Sequence, residues 1–278
     1  MTIRRPVAIA RLPEGYGRLF DQVAAAFAAD ERIRGVWLSG SLARGLADRA
    51  SDLDFLIAVG DQDHPAFAES WRAWLASITP TVLARPLPNL PGSFYSLTPE
   101  GLRLDVVVEP VSALPETPFR HRTTVLDRDH LSPRIPGPAP VAGPDRDRIA
   151  GLIEEFFRQQ ANLPTVTERQ DWLLGVVAVQ QLHLILFQLF VEANAPVRRV
   201  GVKHWSSRLR SYQRRVLESL PVPQPERNSV LAARAAAASA FILAARPIAE
   251  RLGVPWPAAL EAAVDGYLKR ELGFGLTN

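Results

Sequence analysis

Residues 36–59 read VWLSGSLARGLADRASDLDFLIAV, and this stretch decides the fold. Val36, Trp37 and Leu38 form a short apolar run, which reads as a buried strand, and it ends in Ser39-Gly40-Ser41. Ten residues later, Asp52-Leu53-Asp54 opens a second strand, Leu53–Val59. Side chains alternate along a strand, so Asp52 and Asp54 share one face while Leu53, Phe55 and Ile57 share the other. The strand rise puts the Cα atoms of the two aspartates about 6.5–7 Å apart.

The same alternation recurs in Leu102–Val108 (LRLDVVV), where Leu102, Leu104, Val106 and Val108 alternate against Arg103, Asp105 and Val107. If the two strands are neighbours, Asp105 joins Asp52 and Asp54. Two such charges about 5 Å apart repel by roughly 3 kcal/mol at an effective dielectric near 20. Mg²⁺ removes that cost, and it favours one or two carboxylates together with phosphate oxygens. Two ions about 3.5–4 Å apart clamp the attacking and leaving oxygens of a phosphoryl-type displacement. A small turn such as Gly40-Ser41 lets backbone N–H groups and a hydroxyl approach a phosphate. Arg44 and Arg49 lie in the same excursion and are candidates for the triphosphate, although solvated loop charges are the simpler account. Arg103, beside Asp105, reads equally well as half of a plain cross-strand pair.

Outward from this stretch the chain reads in two parts. Residues 1–140 alternate helical and strand-like runs and are expected to form an α/β (α+β) domain with a mixed sheet. Helices are expected at Glu14–Ala29 and Pro65–Ser77, the latter burying Trp71 and Trp74. Further strands are expected at Thr81–Leu87, Phe94–Leu97 and Leu102–Glu109, the last two as a hairpin around Thr98-Pro99-Glu100-Gly101. Ser132–Pro144 (SPRIPGPAPVAGP) reads as a linker or wrapped connection. Residues 141–278 read as an all-α domain. Its helices are expected at Asp145–Asn162, from a capping box at Thr167-Glu168-Arg169-Gln170 to Asn194, at Trp205–Leu220, at Asn228–Leu252 with a kink at Pro247, and at Pro257–Leu272.

The Gly40-Ser41 turn, the spacing to Asp52-Leu53-Asp54 and the later strand acid Asp105 together resemble the DNA polymerase β-like nucleotidyltransferase superfamily. The form GSLARG…SDLD is most similar to its bacterial small-molecule members, including the antibiotic-modifying ones, in which a helical domain follows. The resemblance covers Val36 to Val108. It implies that Asp52 and Asp54 bind Mg²⁺ and the nucleotide phosphates. Asp105 then completes the metal site or takes the proton from an acceptor hydroxyl, and Gly40 and Ser41 hold the β and γ phosphates. It also implies transfer of a nucleoside monophosphate, AMP first, from ATP or another NTP to a small-molecule hydroxyl, with pyrophosphate released. An antibiotic such as a lincosamide or an aminoglycoside is a candidate acceptor. Lys203 would complete the triphosphate site from the helical domain. Transfer to a protein or RNA, or a non-catalytic nucleotide-binding module, are the alternatives.

Composition narrows these readings. The 278 residues are 47% hydrophobic and 22% charged, which excludes disorder across the whole chain. The absence of cysteine excludes disulfides, thiolate catalysis and Cys-ligated zinc. The net charge of +3 does not indicate a nucleic-acid binder, although no acid occurs between Glu192 and Glu218, where Arg198, Arg199, Lys203, Arg208, Arg210, Arg214 and Arg215 fall. From Asp145 onward there are 17 bases and 13 acids, which favours a neutral acceptor over a polycation. No apolar run follows Arg4-Arg5 before Pro13, so a cytoplasmic location is expected. Trp172–Val191 is long enough to span a bilayer, but Gln180, Gln181, His183 and Gln188 favour a buried helix, with His183 hydrogen-bonded in the core. A homodimer is left open.

Overall fold

The computed structural model describes residues 3–195 and 206–277, which form two compact units, Met1–Ala139 and Pro140–Asn278. In the first, strands β1 (Ile33–Leu38), β2 (Leu53–Val59), β3 (Leu83–Pro86), β4 (Phe94–Leu97), β5 (Arg103–Pro110) and β6 (Thr123–Asp127) form one sheet in the order β3-β4-β5-β2-β1-β6. Only β2 and β5 run parallel; the other neighbours are antiparallel, so the sheet is mixed.

The alternation expected of β2 fixes its two faces. Leu53, Phe55, Ile57 and Val59 pack on one side with Phe20 and Phe27 of α1 (Glu14–Ala29) and Phe67 and Trp74 of α3 (His64–Ala76). Leu56 and Ala58 point to the opposite side, into a second cluster with Trp37, Val107, Leu114, Leu131 and Ile135. Trp71 and Trp74 are core residues, and Trp71 stacks on Phe94 with ring centroids 4.7 Å apart. The β4–β5 hairpin turns at Gly101, whose φ of +80° suits a residue without Cβ.

Part of the proline-rich connection is built into this sheet. Leu131 and Ile135 are buried on its second face, and Arg122 donates to the carbonyls of Ser132, Ile135 and Pro136. Asp127, at the end of the unanticipated β6, accepts from the backbone N–H groups of Leu131 and Ser132. The segment from Ser132 is therefore anchored at its start rather than being a free linker.

The second unit is helical: α4 (Arg146–Gln160), α5 (Leu163–Glu168), α6 (Trp172–Ala193), α7 (Ser211–Glu218), α8 (Arg227–Leu252) and α9 (Ala258–Leu272). Its core joins Ile153, Phe156 and Phe157 of α4 to Ile185, Leu189 and Phe190 of α6 and Phe241 of α8. The capping box expected at Thr167 is absent. Thr167 lies inside α5 and its hydroxyl bonds back to the Leu163 carbonyl, the chain turns at Gln170 (φ +50°), and Asp171 caps α6 by accepting from the Leu174 N–H. The helix expected from Trp205 begins at Ser211, after a short 3₁₀ turn at Ser206–Arg208. α8 runs through Pro247 without a break. α6 and α8 are long and apolar enough to cross a membrane by length and composition, and both contribute to the helical core. His183 is half-buried on α6, but its Nε2 has no hydrogen-bond partner, contrary to the expected core bond.

Candidate active site

The site is assembled where β1 ends and β2 and β5 begin. Ser39 continues the strand, donating its N–H to the Asp54 carbonyl at 2.9 Å. Gly40 then takes φ +57° and turns the chain into the short α2 (Gly40–Ala43). A Cβ at Gly40 would stand 1.7 Å from Asp54 Oδ2, so the turn needs glycine for its conformation and for the space the carboxylate occupies. Ser41 is buried, and its hydroxyl has no hydrogen-bond partner. The Arg44 Nε is likewise buried without one.

The excursion back to β2 holds itself in shape. Asp48 Oδ1 accepts from the Ala50 N–H at 2.9 Å and from the Ser51 hydroxyl at 3.0 Å. Arg49 is exposed on this loop.

The parallel register of β2 and β5 pairs Leu53 with Leu104 and Asp54 with Asp105. Neighbouring strands lie about 4.8 Å apart, so the two half-buried carboxylates sit side by side on one face. The same register puts Arg103 across from Asp52, and the guanidinium pairs with that carboxylate at 3.3 Å while donating to the Ala50 carbonyl at 2.6 Å. The Arg103 N–H donates to the Tyr16 hydroxyl, which ties α1 to the start of β5. Alternation alone put Arg103 beside Asp105; the parallel register is what hands it to Asp52.

Gly40, Ser41, Asp52, Asp54 and Asp105 thus gather at one end of the sheet. Among the described residues, no three His, Cys, Asp or Glu side chains are arranged to hold a metal, and Asp52 is paired with Arg103. The donors are hard oxygens, which fit Mg²⁺ in kind. Lys203 lies outside the described residues.

Residues 21–80 match the family model of the nucleotidyltransferase domain. The chain carries a nucleotidyltransferase domain. The match takes in Gly40, Ser41, Asp52 and Asp54 and stops before Asp105, which the sheet register adds to them. No curated protein sequence matches the chain. Among solved structures, an aminoglycoside 6-adenyltransferase from Bacillus subtilis shares 16% identity over 90% of this chain and 95% of its own, with a TM-score of 0.41. A nucleotidyltransferase-like protein from Exiguobacterium sibiricum shares 14% over 92% and 88%, with a TM-score of 0.36. A CCA-adding enzyme in complex with CTP shares 11% over 98% and 94%, with a TM-score of 0.35. Likeness this loose carries no substrate over to the present chain.

Proposed function

We propose that this nucleotidyltransferase moves a nucleoside monophosphate, AMP in the first instance, from a nucleoside triphosphate to the hydroxyl of a neutral small molecule. The observation that carries this reading is the in-register pair Asp54–Asp105 beneath a glycine whose missing side chain makes room for Asp54. Asp54 and Asp105, joined by Asp52, would hold Mg²⁺, one or two ions, whose charge offsets that of the triphosphate. The free Ser41 hydroxyl donates to a β or γ phosphate oxygen, and Arg44 adds a cation at the same turn. Asp105 accepts the proton of the acceptor hydroxyl. The new bond joins that oxygen to the α phosphorus, the bond from the α phosphorus to the bridging oxygen breaks, and pyrophosphate leaves. Lys203 is the candidate for a further phosphate contact.

The neutral acceptor is favoured by the excess of bases in the helical half. The test is pyrophosphate release from each of the four NTPs, with and without Mg²⁺, against a panel of neutral and cationic hydroxyl compounds. Release is expected with ATP, Mg²⁺ and a neutral acceptor together. Labelling of protein or RNA, with no small hydroxyl consumed, would replace the small-molecule reading.

A further inference from the structure

One face of α6 packs into the helical core through Val179, Leu182, Ile185 and Leu186. The opposite face carries Leu173, Val177, Gln180 and Leu184, whose 4-3-4 spacing is that of a coiled-coil seam. This second face is open to solvent: Leu173 is 72% exposed, Val177 59% and Leu184 41%, with Gln180 exposed between them and Leu174 beside them.

A helix on the surface of a globular protein turns charged and polar residues away from its core. α6 does not, since no Asp, Glu, Lys or Arg occurs from Trp172 to Val191. Single exposed leucines are common on soluble proteins, but four apolar side chains in one stripe along three helical turns form the kind of patch that marks an interaction surface.

The stripe itself selects the partner. A two-fold axis sets a face against its own copy, so any charge near the axis meets its like. This face carries none. Its order also reads alike from either end. With two helices antiparallel, Leu173 of each copy meets Leu184 of the other, and Val177 lies against Gln180 between them. The Gln180 amide both donates and accepts, so two copies can bond to each other, and a single polar residue in an apolar seam fixes the register of paired helices. A bilayer would instead strip water from Gln180 and Gln181 without offering them partners.

We propose that this face is a homodimer interface, in which α6 packs antiparallel on α6 of a second copy of the chain about a two-fold axis between Val177 and Gln180.

Sedimentation equilibrium of the full chain through the micromolar range tests this. The wild type is expected to reach twice the chain mass. Val177→Glu, at an exposed position, should keep the helical circular dichroism and weaken association at least about a hundredfold, because two like charges then face each other near the axis. Val177→Lys should do the same, and an equimolar mixture of the two variants should associate again. The mixture separates a second copy from any other partner, since only a self-pairing face is rescued by opposite charges at one position. A wild type that stays monomeric would overturn the proposal, and its flotation with phosphatidylcholine vesicles would assign the face to a bilayer. A dimer that survives both variants, or a mixture that stays monomeric, would overturn it equally.

Discussion

The two units treat buried charge in opposite ways. At the start of β2 and β5 the first unit sets like charges against each other, Asp54 beside Asp105 with Asp52 two residues away. The helical unit buries one cation and surrounds it with acceptors: Arg234 meets Gln160 Oε1 and the carbonyls of Gly275 and Leu276, with the Phe274 ring 5.6 Å away. Burial lowers its pKa to about 10, with Asp265 pulling the other way. Folding gains from the second arrangement, which ties the C-terminal residues to α8 and α4. The first sets two carboxylates side by side, with Arg103 on the neighbouring Asp52, an arrangement that favours a bound cation. Like charges gathered at one place point to ligand chemistry, and a cation ringed by acceptors points to architecture.

The sharpest way to break this contrast is to remove charge from each cluster. Asp54→Asn should lower nucleotidyl transfer at least about a hundredfold, the scale of losing a main electrostatic contact, while the melting temperature holds or rises. Pyrophosphate release and thermal unfolding read the two effects, and a fall in stability matching the loss of activity would contradict the contrast. Gly40→Val tests the same site through its space. The left-handed conformation costs a side chain about 1–2 kcal/mol, and the clash with Asp54 adds to it, so stability and activity should fall together.

In the helical unit the outcome should reverse. Arg234→Ala leaves three buried acceptors without their donor and should destabilise the unit by about 3 kcal/mol. Arg234→Lys keeps the charge but cannot span Gln160 and both carbonyls, so it should recover only part of the loss. Hydrogen exchange along α8 and α9 measures this; unchanged protection in Arg234→Ala would show that the tail is not held there.

The candidate-site stretch was legible because its signals are local. Period-two alternation placed β2 at Leu53–Val59, and Gly-Ser at a strand end gave the turn. The position of Arg103 depended on a register that no single strand carries, so its pairing with Asp52 rather than Asp105 appeared only in the folded sheet. Thr167 misled for the converse reason. Its capping-box spacing is genuine, but α5 packs Leu163 and Val166 into the core, and the helix start moves to Asp171. β6 was missed because only Leu126 of Thr123–Asp127 is buried and the strand depends on pairing with β1. The role of Arg234 could not be read from an alanine-rich helix, because its acceptors come from more than 40 residues further on and more than 70 residues earlier.

The smallest expected effect lies on the same face of β5 as Asp105, at Glu109. This carboxyl is buried, accepts a 2.9 Å bond from the Thr117 hydroxyl through Oε1, and leaves Oε2 without a partner. Burial pushes its pKa above the ordinary value, and the Thr117 bond offsets this only in part. The folded chain therefore holds this proton at pH values where the unfolded chain has released it. Stability contributed by Glu109 is complete below the unfolded pKa and declines as pH rises through the folded one, with a slope of at most about 1.4 kcal/mol per pH unit. Asp30 and Asp127, whose pKa values are lowered, give slopes of the opposite sign at lower pH, so the wild-type curve alone does not isolate the effect. The difference from Glu109→Gln does. Glutamine keeps the acceptor for Thr117 and does not ionise, so the two proteins should be equally stable in acid and diverge as pH rises, with the variant the more stable at neutral pH. Denaturant unfolding across that range reads the difference directly. Curves that stay parallel would mean that Glu109 ionises in the folded protein as it does in the unfolded chain.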